Sequence, residues 1–314
     1  MTGIVLILGA SGRFGRNAAE AFWNAGWQVH TFDRGQDNLN EAAKGVDVIV
    51  NGWNPAYTDW ARDIPKLADQ VIAAAGNSDT TVIIPGNIYG YGEGAGPVLS
   101  ANTPHAATNP LGRIRIDMEQ AYRASGVQTI VLRAGDFIDT EASGNWFDKI
   151  ITANLKKGQV VAPGALDASH AWAYLPDLAR AAVDLAGQRQ TLAQFEEILF
   201  PGFTLSLSEM TEVLGKITGR QLTLKPMSWL PLWIASPFWP MASKLLEMRY
   251  LWSMPHRLDG TGFKAILPEF KQTEPSIALA NAIRHLDINP NQTMARRSLD
   301  SAAKRAFVQR PKHT

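Results

Sequence analysis

The chain is expected to fold as an α/β protein with a doubly wound parallel sheet and a smaller, mainly helical C-terminal lobe. Three observations carry this. Short apolar runs recur through the first half, and helix patterns separate them. After Arg133 the segments lengthen and become rich in Trp and Pro. Ile4 to Leu8 is the first run. It stops at glycines, as a strand buried on both faces would. A helix pattern over Asn17 to Asn24 ends at Gly26. Further strands are expected over Trp27 to Phe32, Val46 to Asn51, Thr81 to Ile84 and Gln128 to Arg133, the last after a helix closed by Ser125-Gly126. Strands separated by helices imply right-handed crossovers. A helix over Pro176 to Ala186 and a strand near Glu197 to Phe200 are expected to rejoin the sheet. This divides the chain into a core, 1–138 and 176–202, and a lobe, 139–175 and 203–314. There is no internal repeat.

Composition excludes several classes. The 314 residues are 46% hydrophobic and 19% charged, with net charge +1 and no cysteine. No global field draws nucleic acid. Disulfides, zinc–thiolate sites and a cysteine nucleophile are excluded together. MTGIVLILGASG has no basic n-region and reads as a buried strand, so a cytoplasmic location is expected. The uncharged run between Lys225 and Lys244 holds Pro226, Pro231, Pro237 and Pro240, which argues against a membrane span. Asn291 heads an N-x-T that carries little meaning without a secretory signal. The last 21 residues hold six Lys/Arg and one Asp, and read as a solvated helix end and tail. No G-x-S-x-G occurs. The six histidines show no H-x₃-H or H-x-H pairing, so no metal is expected. Trp229, Trp233, Trp239 and Trp252 leave three roles open: an apolar pocket, lobe core, or a contact within a homodimer.

The most informative stretch is Gly9-Ala-Ser-Gly12-Arg-Phe-Gly15, which follows the first strand and opens the first helix. Early glycines let the backbone turn tightly and approach a pyrophosphate. The last permits close helix–strand packing, and the anion meets free N–H groups at the positive helix end. Gly9, Ser11, Gly12, Arg13, Phe14 and Gly15 are therefore expected to bind a dinucleotide in a Rossmann core. Asp33 ends the second strand and suits the adenine ribose hydroxyls, which favours NAD. Arg13 and Arg34 beside it suit the extra phosphate of NADP.

The chain resembles the extended and atypical branches of the short-chain dehydrogenase/reductase superfamily. The resemblance rests on the G-x-x-G-x-x-G spacing, Asp47-Val-Ile-Val-Asn51, Asn87-Ile-Tyr89-Gly90, Leu132-Arg133 with Phe137, Trp172-Ala-Tyr174-Leu-Pro-Asp177-Leu-Ala179, and Phe203-Thr-Leu205 with Glu209-Met210. It spans most of the first 220 residues and adds Asn51 to the cofactor side. It implies a Tyr-x-x-x-Lys pair, in which the tyrosine is the general acid/base and the lysine lowers its pKa and holds the nicotinamide ribose. It also implies a Ser or Thr that binds the substrate oxygen. In this register those positions hold Leu111, Arg115 and Pro85. None of the six tyrosines has a lysine four residues on.

Substitutes are sought at the same edge of the sheet. Arg115 shares a helix face with Leu111 and can bond ribose hydroxyls or an anionic group, or instead form a surface salt bridge with Glu119. Asn109 is positioned to cap that helix. Tyr89 and Tyr91 leave the fourth strand at its C-terminal end, followed by a glycine-rich loop suited to a lid. Asn87 suits orientation of a carbonyl, Asp136 a turn or a base, and His170 proton handling. Catalytic candidates are thus Tyr89, Arg115, Asn87 and His170. Three functions are expected in descending order. The first is an NAD(P)-dependent oxidoreductase or epimerase-like enzyme on a small molecule. The second is a non-catalytic NAD(P)-sensing protein. The third is a redox-neutral nucleotide-sugar epimerase or dehydratase.

Overall fold

The computed structural model describes residues 2–288. Asn291 and the basic tail lie outside them. The chain runs β1 (Ile4–Leu8), α1 (Arg13–Asn24), β2 (Gln28–Phe32), α2 (Leu39–Ala42), β3 (Val48–Asn51), α3 (Trp60–Gly76), β4 (Thr81–Gly86), β5 (Val98–Leu99), α4 (Pro110–Ser125), β6 (Thr129–Arg133), β7 (Asp136–Ile138), β8 (Gln159–Ala162), β9 (Ala171–Tyr174), α5 (Leu175–Gln188) and β10 (Phe195–Leu199). Six strands form one parallel sheet in the order β10-β6-β4-β3-β1-β2. The expected last strand does rejoin it, with Phe195 opposite Thr129 and Leu199 opposite Arg133.

Side-chain alternation divides the two faces. Val5, Ile7, Val48, Val50 and Ile83 point one way and pack with Phe14, Ala18 and Phe22 of α1 and Leu178 and Leu185 of α5. Leu6, Leu8, Ile49, Val82 and Ile84 point the other way and meet Ile64 and Val71 of α3 and Leu111 and Tyr122 of α4. A period of two on strands covered by helices on both sides is the doubly wound plan. Gly126 closes α4 in the left-handed conformation, φ 74°.

Beyond Leu199 the chain is mainly helical: α6 (Leu207–Thr218), α7 (Leu230–Ala235), α8 (Pro240–Glu247), α9 (Thr261–Ile266) and α10 (Pro275–Ala282), with the short strands β11 (Phe203–Thr204), β12 (Thr223–Pro226) and β13 (Arg257–Leu258). Ser206 and Glu209 form a reciprocal capping box on α6. A third apolar cluster joins Phe147, Trp172, Met210, Trp252 and Leu279. The glycine-rich loop after β4 is tied down midway, because β5 pairs with β13.

A buried ionic network fixes the C-terminal edge of the sheet. Arg133, the last residue of β6, is 1% exposed. It donates to Glu197 of β10 at 2.6 Å, to both oxygens of Glu119 of α4 at 3.2 and 2.7 Å, and to the carbonyl of Asn87 after β4. His105 approaches Glu197 at 3.3 Å and Tyr91 donates to it at 3.2 Å. Burial opposes ionisation of the Glu197 carboxyl, but the His105 hydrogen bond and the Arg133 charge outweigh it and hold its pKa at about 2. His105, Glu119 and Glu197 bring their ligand atoms within 4.8 Å of one another, a spacing suited to a cation. The Arg133 guanidinium, bonded to both carboxylates, already supplies one.

Removing one member of such a cluster leaves a buried charge unpaired. Arg133→Met should therefore cost about 3–5 kcal/mol in urea unfolding; a loss within experimental error would show the network to be idle. The depressed Glu197 carboxyl contributes stability in full above its ordinary value of 4.5, and that contribution disappears as pH falls toward 2. The stability gap between wild type and Glu197→Gln should narrow over that window, and a gap independent of pH would contradict the assignment.

Candidate active site

The sheet order places a switch point between β2 and β3 on either side of β1, and the glycine turn sits at its C-terminal end. Gly9 has φ 75°. A Cβ on Gly15 would lie 2.1 Å from the Gly9 carbonyl oxygen, and one on Gly52 would lie 2.8 Å from that of Leu8. Turn, helix and the end of β3 are therefore in backbone contact that no side chain could enter. Gly52 belongs to this lock and was not picked out by the glycine spacing. Gly12 differs. A Cβ there would meet only the Gly9 carbonyl oxygen, at 3.1 Å, and the Gly52 oxygen, at 4.0 Å. Gly12 is also the N-cap of α1, with no side chain bonded to the free N–H groups and no acid in the first turn. That helix end is open to an anion.

The other residues expected on the cofactor side fall into two groups. Ser11 is exposed at the turn, and Phe14 is buried in the core, leaving its backbone N–H at the turn. Asp33 is exposed at the end of β2, where it accepts from the Gly35 N–H at 2.8 Å. Arg13, Arg34 and Asn51 are engaged elsewhere. Arg13 donates to the carbonyls of Ser143 and Gly144 at 2.9 and 2.6 Å, which ties α1 to the loop after β7. The Arg34 guanidinium lies over Trp53, 4.6 Å from the ring centroid. Asn51 donates to the Tyr122 hydroxyl at 3.1 Å and accepts from the Trp53 N–H. Arg13, Arg34 and Asn51, expected on the cofactor side, thus each have a partner within the chain.

The region near α4 departs most from expectation. Leu111 is fully buried. Asn109 does not cap α4. Glu247 of α8 does so from outside, accepting from the Leu111 N–H at 2.6 Å and from Asn109 Nδ2 at 3.0 Å. A carboxylate on a helix N-terminus meets both the free N–H and the dipole. Arg115 is not at the surface and does not pair with Glu119, which Arg133 has taken. It is 7% exposed, stacks on Trp60 at 4.3 Å, and donates to Asn54 Oδ1 at 3.0 Å. Its Nε has no acceptor among the described residues. Burial pushes its pKa below the ordinary arginine value, and Glu119 partly offsets that.

Tyr89 shares a 2.6 Å hydrogen bond with Tyr57, a residue the sequence did not single out. Two hydroxyls joined by one bond leave one O–H free to donate elsewhere. Burial raises both pKa values, Tyr89 far above the usual phenol range; nearby Asp136 raises both further and Arg115 lowers both. Asp136 and His170 form a pair at 2.7 Å, and the His170 ring stacks on Trp252 at 4.6 Å and 5°. Asp136 thus holds His170 rather than only fixing a turn. Asn87 accepts from the Tyr89 N–H at 3.1 Å, so its side-chain oxygen serves the local turn. Tyr91 is 2% exposed and belongs to the Arg133 network. Tyr57, Tyr89, Arg115 and the Asp136–His170 pair are thus grouped at the edge of the sheet that carries the glycine turn.

The same fold occurs in solved structures of nucleotide-sugar epimerases and of a sugar-nucleotide reductase. Among solved structures of this kind is MoeE5 in complex with UDP-glucose and NAD, which superposes with a TM-score of 0.70 at 17% identity, covering 95% of this chain and 100% of that one. A UDP-N-acetylglucosamine 4-epimerase from Methanobrevibacter ruminantium M1, in complex with UDP-N-acetylmuramic acid, gives 0.67 at 14%, covering 90% and 97%. A dTDP-4-dehydrorhamnose reductase from Clostridium acetobutylicum gives 0.66 at 16%, covering 90% and 99%. No protein-family model matches the chain, and no curated protein matches its sequence.

All six tyrosines have raised pKa values, with burial the largest cause in each case, and Tyr250 reaches about 12. Alkaline titration of the native protein should show tyrosinate absorbance rising at higher pH than in the unfolded chain, with a further gain on unfolding. Coincident native and unfolded curves would place these hydroxyls in water.

Proposed function

We propose that the chain is an NAD(P)-dependent oxidoreductase or epimerase-like enzyme acting on a small molecule. In this reading the Tyr57–Tyr89 pair and Arg115 stand in for the absent Tyr-x-x-x-Lys. The observation that carries it is the buried Arg115 guanidinium, at the lysine position and with an unused N–H, beside a hydroxyl pair with a donor to spare. A buried N–H without an acceptor costs stability unless a ligand completes it.

The residues fit a dinucleotide. The tight glycine cradle and the uncapped α1 N-terminus suit the pyrophosphate, and Asp33 suits the adenine ribose, favouring NAD. The cofactor, when bound, would supply hydride acceptance or donation. Arg115 would hold an oxygen of the ribose or substrate and, being charged at any working pH, would not carry the proton. The free hydroxyl of the Tyr57–Tyr89 pair would donate to a developing alkoxide. Its raised pKa keeps it protonated until then, and positive charge from Arg115 favours release of the proton to the alkoxide and steadies the phenolate left behind. Asp136, with His170 behind it, would accept from a substrate hydroxyl.

The nucleotide-sugar reading has less support. A cavity of about 650 Å³ between the lobe and the loop after β4 is lined by Glu93 and Glu247 as well as Arg249, with Trp229, Met227 and Tyr250 around them. None of Tyr57, Tyr89, Arg115, Asp136 and His170 lines it, and its Glu247 is engaged by α4 and Lys244. The nucleotide-sugar reading is weakest because those reactions lean on the tyrosine that this chain lacks. The sensing reading retains one argument, the loss of the family's tyrosine, lysine and Ser/Thr.

Calorimetric titration with NAD, NADH, NADP and NADPH tests the proposal. Micromolar binding of one pair is expected, and Gly12→Val should weaken it at least about tenfold, because a side chain there enters the anion's space; the variant's thermal midpoint is read alongside, since its Cβ would press to 3.1 Å on the Gly9 carbonyl oxygen. Failure of all four to bind would remove the cofactor reading. With a substrate in hand, Tyr89→Phe should lower kcat by about 10²-fold or more; an unchanged rate with intact cofactor binding would remove Tyr89 from the chemistry, and cofactor binding with no turnover of any substrate would leave the sensing reading.

A further inference from the structure

The lobe exposes a stripe of large apolar side chains. Leu230 (63% exposed), Trp233 (54%) and Ile234 (67%) of α7 are spaced i, i+3, i+4, and Phe238 (89%) and Trp239 (49%) continue the stripe into the turn before α8. Ordinary amphipathic helices turn such a face inward. Here the inward positions are Leu232 and Ala235, and the outward face carries the bulk. The turn is well formed. Trp233 and Trp239 donate backbone bonds to Trp229 and Ala235 at 3.1 and 2.8 Å, and Ser236 donates its hydroxyl to the Trp233 carbonyl at 2.9 Å. The side chains are displayed by a built element, not by a frayed one.

The charge flanking the stripe in the sequence is mainly basic, with Glu247 at the end of α8 and Glu93 on the neighbouring cavity wall as the acids. Between Glu212 and Glu247 the sequence holds no Asp or Glu, but it holds Lys216, Arg220, Lys225 and Lys244. Lys225 and Arg249 are exposed, and the Arg249 guanidinium reaches over Trp233, 5.9 Å from its ring centroid. Lys244 is partly neutralised by Glu247, which α4 also engages. We propose that the α7–α8 hairpin docks this protein on an anionic lipid surface, with Leu230, Ile234 and Phe238 entering the acyl boundary, Trp233 and Trp239 at headgroup depth, and Lys225 and Arg249 on the phosphates.

The chemistry favours lipid over a second copy of the chain. Trp beside Leu, Ile and Phe, rimmed by basic residues, is the composition of helices that lie in the membrane plane. The same face set against itself would bring Lys225 and Arg249 toward their like, and Glu247, the acid of α8, is already engaged by Lys244 and α4. The element lies on the surface and does not span: no helix among the described residues is long and apolar enough to cross a membrane. The proposal is independent of the catalytic reading.

The test is co-sedimentation of the full chain with vesicles of phosphatidylcholine alone or mixed with phosphatidylglycerol. Binding to the anionic vesicles is expected, with tryptophan emission shifting to the blue and binding falling as salt rises. The double variant Ile234→Ser/Phe238→Ser should bind about tenfold or more weakly, and Lys225→Glu/Arg249→Glu should also lose anionic-vesicle binding. Both should keep the wild-type thermal midpoint and dinucleotide affinity. Wild-type protein left in the supernatant at low salt, or a serine variant that binds as well as wild type, would overturn the proposal. So would a wild-type dimer in ultracentrifugation that the serine variant converts to monomer, which would assign the face to a second copy.

Discussion

The candidate site depends on the Arg133 guanidinium. It lies at the end of β6 and reaches the three elements that carry or support the site: the β4 loop through Asn87, α4 through Glu119, and β10 through Glu197. The loop bearing Tyr89 and the helix bearing Arg115 are therefore positioned against one buried cation. The rigidity is electrostatic, and it acts where the low dielectric makes the pairing strong and the loss of any member severe. His105 and Tyr91 extend the network to the glycine-rich loop.

This arrangement explains how α4 can carry two buried arginine-centred clusters without mixing them. Glu119 lies one turn beyond Arg115, the spacing that favours an intrahelical pair. Arg133 takes Glu119 instead, and Arg115 is left to Trp60, Asn54 and the Met118 sulfur. An arginine stripped of its carboxylate keeps its charge for something else.

The sheet was legible because its signals are local. Apolar runs of strand length, the glycine turn and Gly126 at the end of α4 each act within a few residues. The strand Phe195–Leu199 was also visible, through its apolar end. The site was legible in outline only. Tyr89, Arg115 and His170 carry chemistry-bearing side chains, but their partners are set by tertiary packing. Tyr57 meets Tyr89 across 32 residues, and Glu197 meets Arg133 across 64. No periodicity encodes such pairs. The partners of Arg13, Arg34 and Asn51 within the chain, the Ser143–Gly144 carbonyls, the Trp53 ring and the Tyr122 hydroxyl, are likewise set by tertiary packing. Asn109 failed as a cap for a related reason, since a carboxylate from α8 reached the helix end first.

That external cap also bears on engineering. The Leu111 side chain is sealed in the core, and its amide is held by Glu247 from 136 residues away. Placing Tyr and Lys at 111 and 115 would drive a hydroxyl into packed hydrocarbon and set an ammonium against the Trp60 face. A Tyr-x-x-x-Lys pair therefore cannot be installed here by two substitutions, and a variant carrying one would have to be remodelled from α8 inward.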